Sequence, residues 1–209
     1  MKKIMFSDKF GLTEAVLSGR KTQTRRIIKP QPEVSERMGM VWKGYAYGIT
    51  SPAGSPFFLK DVYKNFLSGT DYPQDHRYKV GEVVAVAQSY HSFYNDECDP
   101  RMFPDGAGWT NKMFVRADLM PHRIRITDVR VERLQDISYE DCIAEGVCKW
   151  TKDRELFKYD MADGFEMFEW RDMPRTPREA YAALIDRISG KGTWQSNPYV
   201  FVYEFELIK

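Results

Sequence analysis

The chain has 209 residues, 43 % apolar and 29 % charged, which is enough for one large domain with decorations and too apolar for a disordered chain. Its 31 basic and 30 acidic side chains nearly cancel, which excludes the global positive field of a non-specific DNA binder. The basic charge is nonetheless concentrated at one end. Residues 1–30 carry Lys2, Lys3, Lys9, Arg20, Lys21, Arg25, Arg26 and Lys29 against only Asp8 and Glu14, a local site for an anionic ligand.

The first residues turn polar at Ser7-Asp8-Lys9, before an apolar run reaches the length of a signal peptide or a membrane span, so a cytoplasmic protein with no membrane contact is expected. Ser7-Asp8 reads as an N-cap for a short helix with Phe10, Leu12, Ala15, Val16 and Leu17 on its apolar side and Gly19 at its left-handed end. Arg20-Lys21 form a turn. Thr22 to Ile28 then reads as a strand that the Pro30/Pro32 pair ends.

Residues 31–78 show no sustained period and read as a long irregular insertion with room for short strands. Val83 to Ala87 is apolar at every position, the pattern of a central strand buried on both faces. A second insertion is expected over residues 91–121. His122 to Leu134 alternates as a strand with a bulge around Thr127-Asp128.

Ser138, three residues before Asp141, starts a short helix that Gly146 closes. A third insertion spans residues 147–175 and is either a lid or a packed segment. Thr176-Pro177-Arg178-Glu179 is a helix start with an N-cap Thr and Pro in the first turn. Ala180, Leu184 and Ile188 recur at four-residue steps up to Gly190. Tyr199 to Ile208 closes the chain as a strand whose second face turns polar at Glu204 and Glu206. Strands without regular βαβ alternation point to an α+β architecture, a mixed barrel rather than a doubly wound sheet.

Cys98, Cys142 and Cys148 cannot all pair with one another and read as reduced thiols. Cys142 and Cys148 are too far apart for a zinc pair, and His76, His91 and His122 are scattered, so neither a metal nor another cofactor is expected. The densest polar segment is Gly19-Arg20-Lys21-Thr22-Gln23-Thr24-Arg25-Arg26. On a strand Thr24 and Arg26 share one face and Gln23 and Arg25 the other, while Lys21 in the preceding turn can fold toward either.

A Lys21/Thr24/Arg26 cluster is therefore geometrically possible. Spacing alone equally admits a structural reading: Thr24 as a β-former, Lys21 drawn to the negative end of the preceding helix, and solvated arginines. Glu145 stands at the end of a helix, where the dipole disfavours a carboxylate. Among 5 Trp, 12 Tyr and 13 Phe most rings must be core, with Tyr90 and Trp194 the candidates for stacking on a base.

Leu17 to Arg26, Leu-Ser-Gly-Arg-Lys-Thr-Gln-Thr-Arg-Arg, resembles the opening signature of ASCH domains, which are PUA-like β-barrels. Further blocks follow in family order: Val80-Gly81-Glu82 before a buried strand, Ile137 to Gly146 with its Ala-Glu-Gly, and Asn197-Pro198 before the last strand. The chain is most similar to the larger members found in phages and prophages. It departs from them after the buried strand, where Ala87-Gln88-Ser89-Tyr90 replaces an Arg-Glu pair.

The resemblance implies a small mixed β-barrel flanked by short helices, one domain over residues 1–209 with insertions at about 31–78, 91–121 and 147–175. It implies a cleft that recognises RNA or a modified nucleoside, with Arg20, Arg25, Arg26, Tyr90 and Trp194 on the ligand. A subset of the family hydrolyses the acetyl amide of N4-acetylcytidine. Lys21, Thr24 and Glu145 match its catalytic lysine, threonine and glutamate, giving Thr24 as nucleophile, Lys21 as its activator and Glu145 as acid/base. A third reading is a phage accessory module that binds a protein partner through the insertions.

Overall fold

The computed structural model describes residues 1–35, 39–42, 45–47, 77–94 and 106–208. Its strands in chain order begin with β1 (Lys3–Ile4) and β2 (Gln23–Ile27). β3 (Glu33–Ser35), β4 (Gly39–Trp42) and β5 (Tyr45–Tyr47) follow, and then β6 (Val83–Val86) and β7 (Arg123–Arg133). β8 (Cys148–Thr151), β9 (Phe157–Asp160) and β10 (Tyr199–Ile208) complete the set. The helices are α1 (Leu12–Leu17), α2 (Tyr139–Ala144), α3 (Pro177–Ser189) and α4 (Thr193–Ser196), joined by several 3-10 turns.

Five strands make the main sheet in the order β1-β6-β7-β10-β2, antiparallel throughout except for the parallel pair β1–β6. The architecture is α+β. The sheet does not close into the expected barrel: among the described residues β1 and β2 are its two edges. β1 offers only two residues, both paired to β6, too short a strand to complete a ring of hydrogen bonds. Arg26 of β2 reaches across between the edges, its Nη2 donating to the carbonyl of Met5, just after β1, at 2.6 Å.

The bulge falls where the alternation breaks. Phe205 faces Ile126 and Glu204 faces Asp128, so Thr127 is the extra residue. That one insertion restores the alternation, and Ile124, Ile126, Val129 and Val131 all enter the same core. The run Val83 to Ala87 is a strand next to the β1 edge rather than at the centre, which β7 occupies. Its apolarity on both faces has a simple cause: Val84 and Val86 belong to the main core, Ala85 and Ala87 to a smaller one with Tyr90, Val115 and Met120.

The first helix starts later than the sequence suggests. Ser7 makes no side-chain cap; Asp8–Phe10 is a 3-10 turn, and Gly11 at φ +62° caps α1. Phe165 explains the glycine, because a Cβ on Gly11 would lie 2.5 Å from its ring. α2 and α3 are capped as expected: Ser138 accepts from the Asp141 N–H and Thr176 from the Glu179 N–H.

The three expected insertions differ from one another. β3, β4 and β5 form an antiparallel sheet of three strands within the first, of which residues 36–38, 43–44 and 48–76 lie outside the described residues. The second carries two 3-10 turns after residue 106, Lys112–Phe114 and Ala117–Leu119. Residues 147–175 are a packed segment rather than a lid. Tyr159 and Met161 are in the main core, with Phe165 and Met167 against it. Buried Asp160 gathers this loop by accepting the N–H groups of Met161, Met167 and Phe168.

Candidate active site

Between the Met5–Phe6 end of β1, β2, and the helix α3 lies a cavity of about 460 Å³. Lys21, Thr24, Arg26 and Glu145 line it together with Met5, Phe6 and the apolar side of α3. The chain reaches this arrangement through two glycines. Gly19, at φ +76°, turns the chain out of α1, and the Lys21 N–H returns to the Ala15 carbonyl. The next N–H, of Thr22, is held by the carbonyl of Ala144 at the end of α2. Gly146 at φ +106° ends α2 beside it, and a Cβ there would stand 3.2 Å from Leu12 and 3.8 Å from the Lys21 side chain.

Lys21 and Glu145 thus meet inside the protein. Lys21 Nζ donates to the Glu145 carboxylate at 2.6 Å and to its backbone carbonyl at 2.8 Å. The two side chains are 1 % and 5 % exposed. Glu145 is the C-cap of α2, and the paired ammonium answers the unfavourable helix end that marked it in the sequence. Burial pushes Lys21 below the ordinary lysine range; the charge and hydrogen bond of Glu145 oppose this, while Arg26 and Arg25 add to it. Desolvation, which no spacing argument supplies, is the largest of these effects.

Arg25 points away from solvent as well, into a charge network behind the pair. Its Nη1 donates to Gln23 at 2.8 Å and Glu145 at 3.3 Å, and its Nη2 to Asp141 at 2.7 Å and Glu132 at 3.2 Å. Arg130 extends the network to Glu132, Glu204 and Asp141. Burial works against the charge on Arg25, and Glu145 and the other carboxylates more than offset it, so the guanidinium stays protonated. Arg25 holds Glu145 in place with its other carboxylate oxygen on Lys21. Asp141 and Glu132 are not legible as its partners from local patterns, because they come from a helix and a strand more than 100 residues away.

Thr24 is buried in the strand and faces the cavity. Its hydroxyl makes no side-chain hydrogen bond to any described residue. Arg26 is exposed at the rim, bound to Met5 O and 5.8 Å from the Phe6 ring. Lys29 also lines the rim. Tyr181 forms part of the wall, and its buried hydroxyl has no hydrogen-bond partner among the described residues; nothing in the sequence singles it out.

The remaining expected ligand residues lie elsewhere. Arg20 is exposed and turns to Cys148 Sγ at 3.2 Å. Tyr90 is buried in the smaller core, edge-on to Phe93 and Tyr94, with its hydroxyl accepting from the Arg116 N–H. Gln88, in the stretch that departs from the family pattern, is bound to His122 at 2.7 Å and does not line the cavity. Trp194 packs edge-on against Tyr181 and under Arg178, outside the cavity lining. Tyr90 and Trp194 therefore serve packing, the commoner fate of rings in an aromatic-rich chain.

Cys142 and Cys148 are free thiols, and burial pushes Cys142 up to about 12. Cys98 and His76 lie outside the described residues. Among the described residues there is no cluster of three or more His, Cys, Asp or Glu suited to a metal ion, and no helix is long and apolar enough to cross a membrane. No family model, no curated protein and no solved structure matches the chain.

Proposed function

We propose that the cavity takes an acylated nucleoside and hydrolyses its amide, with Thr24 as nucleophile, Lys21 as base and Glu145 as proton carrier. One observation carries this reading: a buried lysine of lowered pKa, hydrogen-bonded to a buried glutamate, lines one cavity with a threonine whose hydroxyl makes no side-chain hydrogen bond to a described residue. A lysine whose pKa is lowered gives up its proton at a lower pH than a free lysine and can then accept one, as a general base must. The resemblance of Leu17 to Arg26 to ASCH domains supplies the substrate class. In this reading the open sheet is a variant of the PUA-like fold, with the gap between β1 and β2 as its cleft.

Thr24 Oγ attacks the acyl carbonyl carbon and its proton passes to Lys21 Nζ. The 2.6 Å contact to Glu145 is the route by which that proton reaches the leaving amine as the C–N bond breaks. Water then cleaves the acyl-threonine ester, giving the free acid and restoring the hydroxyl. The apolar wall from α3 and Phe6 excludes bulk water from these transfers. Incubation with N4-acetylcytidine followed by chromatography for cytidine and acetate tests the proposal; an unchanged substrate peak contradicts it.

A second reading, a cleft that binds RNA or a nucleoside without cleaving it, is favoured by a different feature. Lys21 gives two of its three N–H bonds to Glu145, which suits a charged ammonium that keeps the third for a ligand oxygen. The two readings part on turnover.

A further inference from the structure

A second cavity, of about 290 Å³, adjoins the first and shares Met5, Arg26, Ile27 and Lys29 with it. The two are parts of one cleft. Arg77, Tyr78 and Tyr203 line the far part. The Tyr203 hydroxyl accepts from the Arg77 N–H at 3.2 Å, and the Arg77 guanidinium lies 5.6 Å from the Tyr78 ring. Arg77 is thus fixed at both its backbone and its head group.

Three cations, Arg26, Lys29 and Arg77, line this part of the cleft, and no carboxylate among the described residues does. None of the three forms an ion pair with a described residue. The described carboxylates nearby do not neutralise them. Lys3 is close enough to Arg77 for its own pKa to be depressed, first by burial and then by that charge. Glu82, whose charge reaches Tyr78, is engaged by Lys2 Nζ at 3.0 Å and the Lys79 N–H at 2.9 Å. Three like charges lining one concave surface repel one another unless an anion joins them, and a guanidinium fork matches the oxygens of a phosphate, as it does those of a carboxylate.

We infer that the cleft is built for a phosphorylated nucleoside, with the base in the larger cavity beside Lys21 and Thr24 and a phosphate over Arg26, Lys29 and Arg77. The inference rests on the reading of the larger cavity as a nucleoside site. It narrows the substrate from a free nucleoside to one that carries a phosphate. That phosphate belongs either to a nucleotide monoester or to the backbone of a strand.

Unacylated ligands test this without any demand on catalysis. Calorimetry would compare cytidine, cytidine 5′-monophosphate and a short oligocytidylate on the wild type and on an Arg77→Ala variant, which changes a residue of the far part only. The expected result is that a phosphorylated ligand binds at least tenfold more tightly than cytidine. That advantage should shrink as salt rises and fall severalfold in the Arg77→Ala variant, whose affinity for cytidine is unchanged. An advantage already complete in the monophosphate assigns a nucleotide, and one seen only with the oligomer assigns a strand.

Equal affinity for cytidine and both phosphorylated ligands overturns the inference and leaves the nucleoside reading standing. No binding of any of the three overturns both. A phosphate advantage in a protein that does not cleave N4-acetylcytidine supports the inference and overturns only the hydrolase.

Discussion

Lys21 Nζ and Glu145 Oε2 lie 2.6 Å apart inside the protein, one from the turn before β2 and the other from the end of α2. The pair differs from a surface salt bridge in what its loss does. Removing one partner from a buried ion pair leaves a charge without solvent or counter-ion, at a cost of about 3–5 kcal/mol. Glu145→Gln strands Lys21 in this way, whereas Lys21→Met leaves Glu145 with Arg25 at 3.3 Å. Denaturant unfolding should therefore show the glutamate change to be the more damaging. The double variant Lys21→Met/Glu145→Gln should regain stability relative to Glu145→Gln, without regaining activity.

The pH profile follows from the direction of the Lys21 shift. Burial lowers its pKa, so the base form appears as pH rises through a value below the ordinary lysine range of about 10.4. The rate of amide hydrolysis should rise with pH along a limb set by that value. The sign for stability is the same: between the folded and unfolded pKa the unfolded chain binds the extra proton, so this group makes folding more favourable as pH rises. A rate that is flat from pH 6 to pH 10 would speak against Lys21 as the base.

Asp141 acts at the other end of the scale. Burial alone would raise its pKa, and the hydrogen bond from Gln23 with the charge of Arg25 overcomes that, leaving it below the usual carboxylate value. Its stabilising effect is complete above the unfolded pKa of about 3.9 and is lost as pH falls through the lower folded value. Asp141→Asn should flatten the acid limb of a stability curve measured below about pH 4.

The expected α+β class, the bulge at Thr127, the caps at Ser138 and Thr176 and the last strand were legible because each rests on a local rule: alternation, side-chain capping or a turn glycine. Lys21, Thr24 and Glu145 were legible as a group through the resemblance. What sequence could not supply was burial. The Arg25 side chain, placed on the ligand by the resemblance, is 0 % exposed, because its partners Glu132, Asp141 and Glu145 are set by tertiary packing. Tyr90 and Trp194 were singled out for position along the chain, and packing turned both away from the cleft.

The segment 147–175 yields a stability prediction. Asp160 satisfies one buried and two part-buried backbone N–H groups, and Asp160→Ala should cost about 3 kcal/mol as those donors lose their acceptor. Deletion of residues 150–172 removes Tyr159 and Met161 from the core and should unfold the protein rather than trim it, as circular dichroism would report.

Gly146→Ala tests the route by which Glu145 is aimed. The added Cβ sits at φ +106° and 3.2 Å from Leu12, and the strain should cost about 1–3 kcal/mol. Because the same turn positions Glu145 against Lys21, kcat should fall while KM stays near its wild-type value.

The measurement that bears most directly on the central claim is turnover of N4-acetylcytidine by the wild type and by Thr24→Ala, with cytidine binding followed in parallel. The account predicts release of cytidine and acetate by the wild type, and a loss on the order of 10³-fold or more in the variant. The variant should bind cytidine with undiminished affinity. Hydrolysis that persists in Thr24→Ala would contradict the role of that hydroxyl, and absence of hydrolysis in the wild type would contradict the enzyme itself.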